Sequence, residues 1–289
     1  MRAAVSYAVT GATGELGGRV ARRLADRGVP QRLVVRDPAR APELPGAETV
    51  QAAYGDGEGL RRAFDGVATL LLVSASEARD RVRLHTGAVD AAMAAGVERI
   101  VYTSFLGCAP EATFTFARDH WHTEEHIRAT GVRHTFLRDS LYLDVLPMFA
   151  GVDGVIRGPA GEGRVGAVAR DDIADVAAAV VLGDGHDGRT YDVTGPEAIT
   201  LGQVAEELSR VTGRTISYHA ETLPEAYGSR SSYGAPEWEV TGWVTTYAAV
   251  ALGELDVVSD TVATVAGHPP MALADYLQRY PDSYRHLLP

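Results

Sequence analysis

The sequence contains no lysine and no asparagine, so all 27 of its basic residues are arginines. Codons for both residues are AT-rich, and isoleucine, with six residues, is also sparse; a GC-rich coding sequence explains all three. The chemical exclusions hold whatever the cause. Without lysine there is no P-loop lysine, no Schiff base and no lysine general base. Without asparagine there is no N-glycosylation sequon and no asparagine in a catalytic relay. One cysteine, Cys108, cannot close an intrachain disulfide. No apolar run approaches the roughly 18–20 residues that a membrane helix needs. No charged-then-apolar leader precedes Val5, and the expectation is a cytoplasmic protein with no membrane partner.

What is present is globular. A chain of 289 residues buries about three quarters of its unfolded surface, so one large domain or two coupled ones are expected. Hydrophobic content of 46% with 22% charged residues is far from a disordered composition. The net charge of −11 makes nucleic acid a poor partner, because phosphate contacts need clustered cations.

The first half alternates β-branched runs with longer helical stretches, the pattern of a parallel sheet covered by helices. Strands are expected at Val5–Thr10, Arg32–Val35, Thr49–Ala52, Thr69–Val73, Arg99–Thr103 and His134–Leu137, and helices at Glu15–Arg27, Gly59–Phe64, Val82–Ala95 and Phe116–Ala129. After about Ala150 the composition changes to a glycine-rich stretch, followed by a helix at Asp171–Leu182, a strand at Thr190–Thr194 and helices at Leu201–Thr212 and Pro236–Leu252. The fold class expected is α/β: a Rossmann-like, doubly wound parallel sheet in residues 1–150. Residues 151–289 then form a smaller α+β substrate lobe, partly interleaved with the sheet.

The strongest motif joins the first strand directly to the first helix: Gly11-Ala12-Thr13-Gly14-Glu15-Leu16-Gly17. Gly11 permits the tight turn, Gly14 lets backbone approach a pyrophosphate, and Gly17 lets the helix lie close to the strand, with the helix N-terminus facing the anion. The second strand ends in Val35-Arg36-Asp37. An arginine at Arg36 suits the 2′-phosphate of NADP, whereas Asp37 turned inward would serve the ribose of NAD. NADP(H) is the expectation, with NAD(H) as the alternative. Asp56 is placed either to meet the adenine amino group or to cap a helix. Val73, Ser74 and Ser76 end the fourth strand where cofactor sugar would pass, and Thr103 and Ser104 end the fifth.

With these motifs go Tyr102-Thr-Ser-Phe-Leu-Gly107, Phe136-Leu-Arg-Asp-Ser-Leu-Tyr142 and Arg170-Asp-Asp-Ile-Ala-Asp-Val176. Together they resemble the NmrA-like atypical short-chain dehydrogenases, nearest in type to the NADPH-dependent quinone oxidoreductases, over nearly the whole chain. The resemblance implies a Rossmann domain, an NADP(H) cofactor and a small substrate lobe; the family holds both enzymes and NADP-sensing regulators. Typical short-chain dehydrogenases pair a serine with Tyr-x-x-x-Lys. Ser104 matches the serine, but Phe116 stands at the tyrosine position and His120 at the lysine position. With 12 tyrosines in the chain, codon bias does not explain that loss.

Reducing an ordinary ketone makes an alkoxide that needs an acid or an oxyanion stabiliser. A quinone instead gives a delocalised hydroquinone anion, which water or a histidine can protonate. The site then has chiefly to stack a flat acceptor and exclude water. Catalytic candidates are His120, Ser104 and Tyr142; His120 also serves the cofactor ribose in this reading. Candidate walls for a small aromatic or quinone-like substrate are Phe105, Tyr142, Phe149, Trp243 and Tyr247, each of which could equally be core packing. The histidines at 120, 122 and 126 do not share one helix face, so no metal site is expected. The function expected is NADPH-dependent hydride transfer to a quinone-like or conjugated carbonyl acceptor. The alternatives are a non-catalytic NADP(H)-sensing regulator and a biosynthetic ketoreductase or epimerase acting on an aromatic, polyketide-like substrate. Assembly as a homodimer is left open.

Overall fold

The computed structural model describes residues 6–288, so Val5, the first residue of the first expected strand, lies outside the described residues. In chain order the elements are β1 (Tyr7–Thr10), α1 (Glu15–Asp26), β2 (Gln31–Val35), β3 (Ala47–Gln51), α2 (Gly57–Ala63), β4 (Thr69–Leu72), α3 (Arg81–Ala94), β5 (Arg99–Phe105), α4 (Thr115–Thr130) and β6 (Arg133–Asp139). There follow β7 (Val155–Gly158), β8 (Arg164–Val165), α5 (Arg170–Leu182), β9 (Thr190–Val193), β10 (Ile199–Thr200), α6 (Leu201–Thr212), β11 (Ser217–Ala220), α7 (Leu223–Arg230), α8 (Glu237–Ala251) and α9 (Leu273–Arg279).

The chain divides into two compact units. The first comprises residues up to Phe105, Asp119–Arg138 and Arg170–Asp192. It carries a seven-stranded parallel sheet in the order β3-β2-β1-β4-β5-β6-β9. β1 lies between β2 and β4, with Thr10 opposite Val34 and Val9 opposite Leu71. The strand order therefore reverses between β1 and β4, and a doubly wound sheet opens its ligand crevice at the carboxyl ends of such a pair. The central strands are apolar on both faces, as sheets covered on both sides require: Val9, Leu70, Leu71, Leu72, Ile100 and Val101 are all fully buried. Phe64 of the α2 terminus, Ala88 and Ala92 of α3 and Ile127 of α4 pack with Tyr102 and Phe136 in one core. α1 and α5 are tied by Arg23, whose guanidinium reaches Asp175 at 2.7 Å and Asp171 at 2.9 Å.

The second unit comprises Leu106–Arg118, Asp139–Ala169 and everything from Val193 onward. It is α+β: β7 pairs with β11 in parallel and β8 with β10 antiparallel, beside α6 to α9. The apolar face of α8 supplies buried Val240, Val244, Tyr247 and Val250, so this helix is used internally. A division near residue 150 does not coincide with these units. Arg170–Asp192, in the half read as substrate lobe, supplies a helix and an edge strand to the first unit, and Leu106–Arg118 leaves it for the second. Composition tracks loops and glycine content, whereas the chain crosses between units several times.

Candidate functional site

The turn after β1 has the geometry its glycines suggest. Gly11 adopts φ +63°, a conformation that favours glycine, and its carbonyl accepts the amide of Gly14 at 2.9 Å. A Cβ on Gly17 would fall 2.4 Å from the Gly11 oxygen, so only glycine lets α1 start this close to β1. Gly14 is the N-cap and contributes no side-chain bond, which leaves the first-turn amides of α1 open to an anion. Ala12 and Leu16 are buried, whereas Glu15 is exposed and Thr13 half-buried. These residues fit a pyrophosphate.

At the end of β2, Arg36 is exposed, and its guanidinium makes no hydrogen bond or ion pair among the described residues. Asp37 is engaged differently: its carboxylate accepts the Ala39 amide at 3.0 Å and caps the short helical turn Pro38–Arg40. Of the two roles open to Asp56, the structure shows the cap, with the Gly59 amide donating to its carboxylate at 2.9 Å.

The segment after β4 is held by side chains from three other elements. The Val73 amide donates to Thr10 Oγ1 at 2.9 Å, the Ser74 amide to Thr103 Oγ1 at 2.8 Å, and the Ala75 amide to His85 Nε2 at 2.9 Å. The hydroxyl of Tyr54 donates to the Val73 carbonyl. Ser74 and the exposed Ser76 thus offer a ligand their hydroxyls, on a backbone that is already fixed.

Beneath this segment lies a buried polar cluster. His120, 5% exposed, meets the Tyr102 hydroxyl through Nδ1 at 2.9 Å, and the ring of Phe105 lies 6.1 Å away. Burial, reinforced by Arg81 and His85, holds the His120 pKa well below the ordinary imidazole value. Burial, with Arg81 again, lowers that of His85 to about 3. Ser104 directs its hydroxyl to Glu124 at 2.6 Å. Glu124 is fully buried and is gripped by Arg138 at 2.9 and 2.7 Å and by Arg128 at 3.0 Å. Sequence reasoning missed Tyr54, His85, Tyr102 and Glu124; the signal available was polar residues in otherwise apolar strand and helix faces.

In the second unit, Phe149, Trp243 and Tyr247 line one cavity of about 390 Å³ together with Tyr233, Arg157 and Arg230. The Tyr247 ring rests on Gly158, where a Cβ would fall 2.3 Å from Cδ1, and lies 5.2 Å from the Phe149 ring. Arg230 stands 5.3 Å from the Tyr247 ring centre and is paired with buried Glu221 at 2.9 Å. Tyr142 is not among the residues lining this cavity; its hydroxyl donates to Asp139 at 3.4 Å. Asp139 is fully buried, and burial raises its pKa well above the ordinary carboxylate value. Phe116 packs in the core of this unit against Phe114 and Trp238, at ring separations of 5.6 and 5.9 Å. Of the remaining helix α4 histidines, His126 pairs with Asp90 at 2.7 Å and His122 packs on Trp121.

Residues 6–233 match the model of the NmrA-like family. The chain belongs to that family. It is 34% identical to quinone oxidoreductase 2 of Escherichia coli over 275 residues, covering 93% of this chain and 96% of that protein. It is 32% identical over 278 residues to the NAD(P)H azoreductase of Xenophilus azovorans, covering 94% and 96%. The crystal structure of the Escherichia coli NADPH-dependent quinone oxidoreductase complexed with NADPH superposes with a TM-score of 0.87, covering 94% of this chain and 99% of that one. A triphenylmethane reductase from Citrobacter sp., complexed with NADP(H), superposes with a TM-score of 0.85 at 32% identity, covering 95% and 99%.

Proposed function

We propose that this protein is an NADPH-dependent reductase of quinone-like or dye-like aromatic acceptors. The observation that carries the reading is the division of labour after β2: Asp37 is engaged as a helix cap, and Arg36 stands exposed for a 2′-phosphate. The open amides of α1 and the close approach at Gly17 suit the pyrophosphate, and relatives of similar length are NADPH-dependent quinone and dye reductases. NADPH, when bound, supplies hydride.

The chain's own residues bind, orient and exclude water. Gly11–Gly17 hold the pyrophosphate, Arg36 the adenosine phosphate, and Val73, Ser74, Ser76 and Thr103 the path of the sugars. Asp56 would serve the adenine amino group only if released from its cap on Gly59. The cavity of the second unit, lined by Phe149, Trp243 and Tyr247 together with Arg157 and Arg230, offers surfaces on which a flat aromatic molecule can stack. His120 presents an imidazole to the cofactor ribose or the acceptor oxygen. Ser104, with its proton directed to Glu124, orders the end of β5. Phe116 sits in a core and contributes no acid, which suits an acceptor whose reduced anion is stabilised by its own aromaticity.

The test is loss of nicotinamide absorbance with saturating NADPH and a panel of menadione, other quinones, azo dyes and triphenylmethane dyes. Saturable acceptor-dependent loss with at least one class supports the reading. Tight NADPH binding with no loss for any acceptor refutes it.

A further inference from the structure

The amides and hydroxyls around His120 determine which of its nitrogens carries the proton. A backbone N–H can only donate, so the Ala75 amide fixes His85 Nε2 as an acceptor at 2.9 Å. Neutral His85 must then carry its proton on Nδ1. Thr123 Oγ1, 3.0 Å from that nitrogen, directs its own hydrogen to the Asp119 carbonyl at 2.8 Å and so accepts from His85. The Tyr102 hydroxyl lies 3.3 Å from the same protonated nitrogen and finds no acceptor there. The lone pair it does reach is on His120 Nδ1, at 2.9 Å.

We infer that Tyr102 is a positioning residue that locks His120 as the Nε2–H tautomer, so that His120 serves the acceptor or cofactor as a neutral hydrogen-bond donor and not as a base. The inference rests on the proposed reductase reading for where Nε2 is used, and the tautomer rests on the Tyr102 hydroxyl donating to Nδ1 rather than accepting from it. Every group facing the ring opposes its protonation or is neutral. Arg81 is a nearby cation, His85 is neutral, and Tyr102, Thr123 and Phe105 carry no charge; Asp119 lies 3.8 Å from an Arg81 nitrogen, an ion pair that answers its charge. Arg81 is itself only 5% exposed and donates to the Ala75 carbonyl at 2.9 Å, so its charge is held in place. A neutral N–H donor can hold an oxygen while negative charge develops on it, with no proton change at His120 during turnover.

The experiment combines spectra with kinetics. Long-range nitrogen–proton correlation spectra are recorded on wild-type protein with labelled histidine, His120 being assigned by its absence in His120→Gln. The expected result is a pure Nε2–H pattern for His120, unchanged from about pH 6 to 8, the range in which an ordinary histidine titrates. A Nδ1–H or cationic pattern for His120 in the wild-type protein overturns the inference. In Tyr102→Phe, His120 is expected to become a tautomer mixture, and kcat with menadione to fall about tenfold, the effect of one lost hydrogen bond, with KM for NADPH nearly unchanged. A pure Nε2–H pattern persisting in Tyr102→Phe overturns Tyr102 as its cause. His120→Gln, which keeps an N–H donor, is expected to retain more turnover than His120→Ala. Full turnover in His120→Ala overturns the use of His120 in the reaction, while the spectra alone decide the tautomer lock.

Discussion

The ring of Phe116 lies so close to Gly242 that a Cβ on that glycine would fall 2.3 Å from Cζ. The ring is also packed against Phe114 and Trp238 and is only 8% exposed, so a phenol hydroxyl would add volume to a filled core. Phe116→Tyr is therefore predicted to cost about 1–3 kcal/mol of stability, as overpacked cores do, and to bring no gain in reductase rate. Thermal unfolding and steady-state turnover of the one variant check both statements. A faster enzyme would show that the tyrosine of ordinary short-chain dehydrogenases can be restored here.

Gly17 makes a second close approach, in this case to backbone atoms that cannot move aside: 2.4 Å to the Gly11 oxygen, 2.7 Å to its carbonyl carbon and 2.9 Å to the Thr10 oxygen. Gly17→Ala should destabilise by about 1–3 kcal/mol and weaken NADPH binding by pushing α1 off β1. Calorimetric unfolding and nucleotide titration should report both losses together.

Glu124 gathers Ser104, Arg138 and Arg128 around one fully buried carboxylate. Removing its charge leaves the Arg138 fork without its partner. Glu124→Gln is expected to cost about 3 kcal/mol or more, whereas Arg128→Ala, at the exposed side of the cluster, should cost less than about 1 kcal/mol. Urea unfolding of the two variants provides the comparison.

Stability should fall on mild acidification. His85 has its folded pKa depressed to about 3 by burial and Arg81, while its unfolded value is near about 6.5. The unfolded chain therefore binds the proton first, so this contribution is complete above about pH 6.5 and declines as pH drops toward 3. The slope is up to about 1.4 kcal/mol per pH unit for each such histidine, and His120 acts in the same direction. In His85→Gln the slope of unfolding free energy against pH below about 6 should shrink by about one proton. An unchanged slope would show that His85 is not held neutral.

Much of the first unit was legible because its signals are local. The strand–Gly11–Gly17–helix run and the alternation of strands with helices fixed the sheet, and each expected element formed within a few residues of its reading. Local chemistry also separates the roles of neighbouring residues: Asp37 precedes Pro38 and Asp56 stands three residues before Gly59, both cap positions that compete with ligand binding. Partners distant in sequence were not legible. Tyr102 reaches His120 from a strand 18 positions earlier, and Arg138 reaches Glu124 from 14 positions later. Phe149, Trp243 and Tyr247 were grouped by aromatic character and do share a cavity, but Tyr142, included on the same ground, turns to Asp139. Interleaving was expected, but the points where the chain crosses were not legible, because no composition change marks them.

The most direct measurement compares kcat/KM for NADPH and NADH, with menadione as acceptor, in wild-type protein and in Arg36→Ala. The predicted result is acceptor-dependent oxidation that favours NADPH, with the substitution weakening NADPH by roughly 1.5–3 kcal/mol, the range of a charged hydrogen bond, and leaving NADH almost unaffected. Equal losses for both nucleotides, or NADPH that binds and is never oxidised by any acceptor, would contradict it.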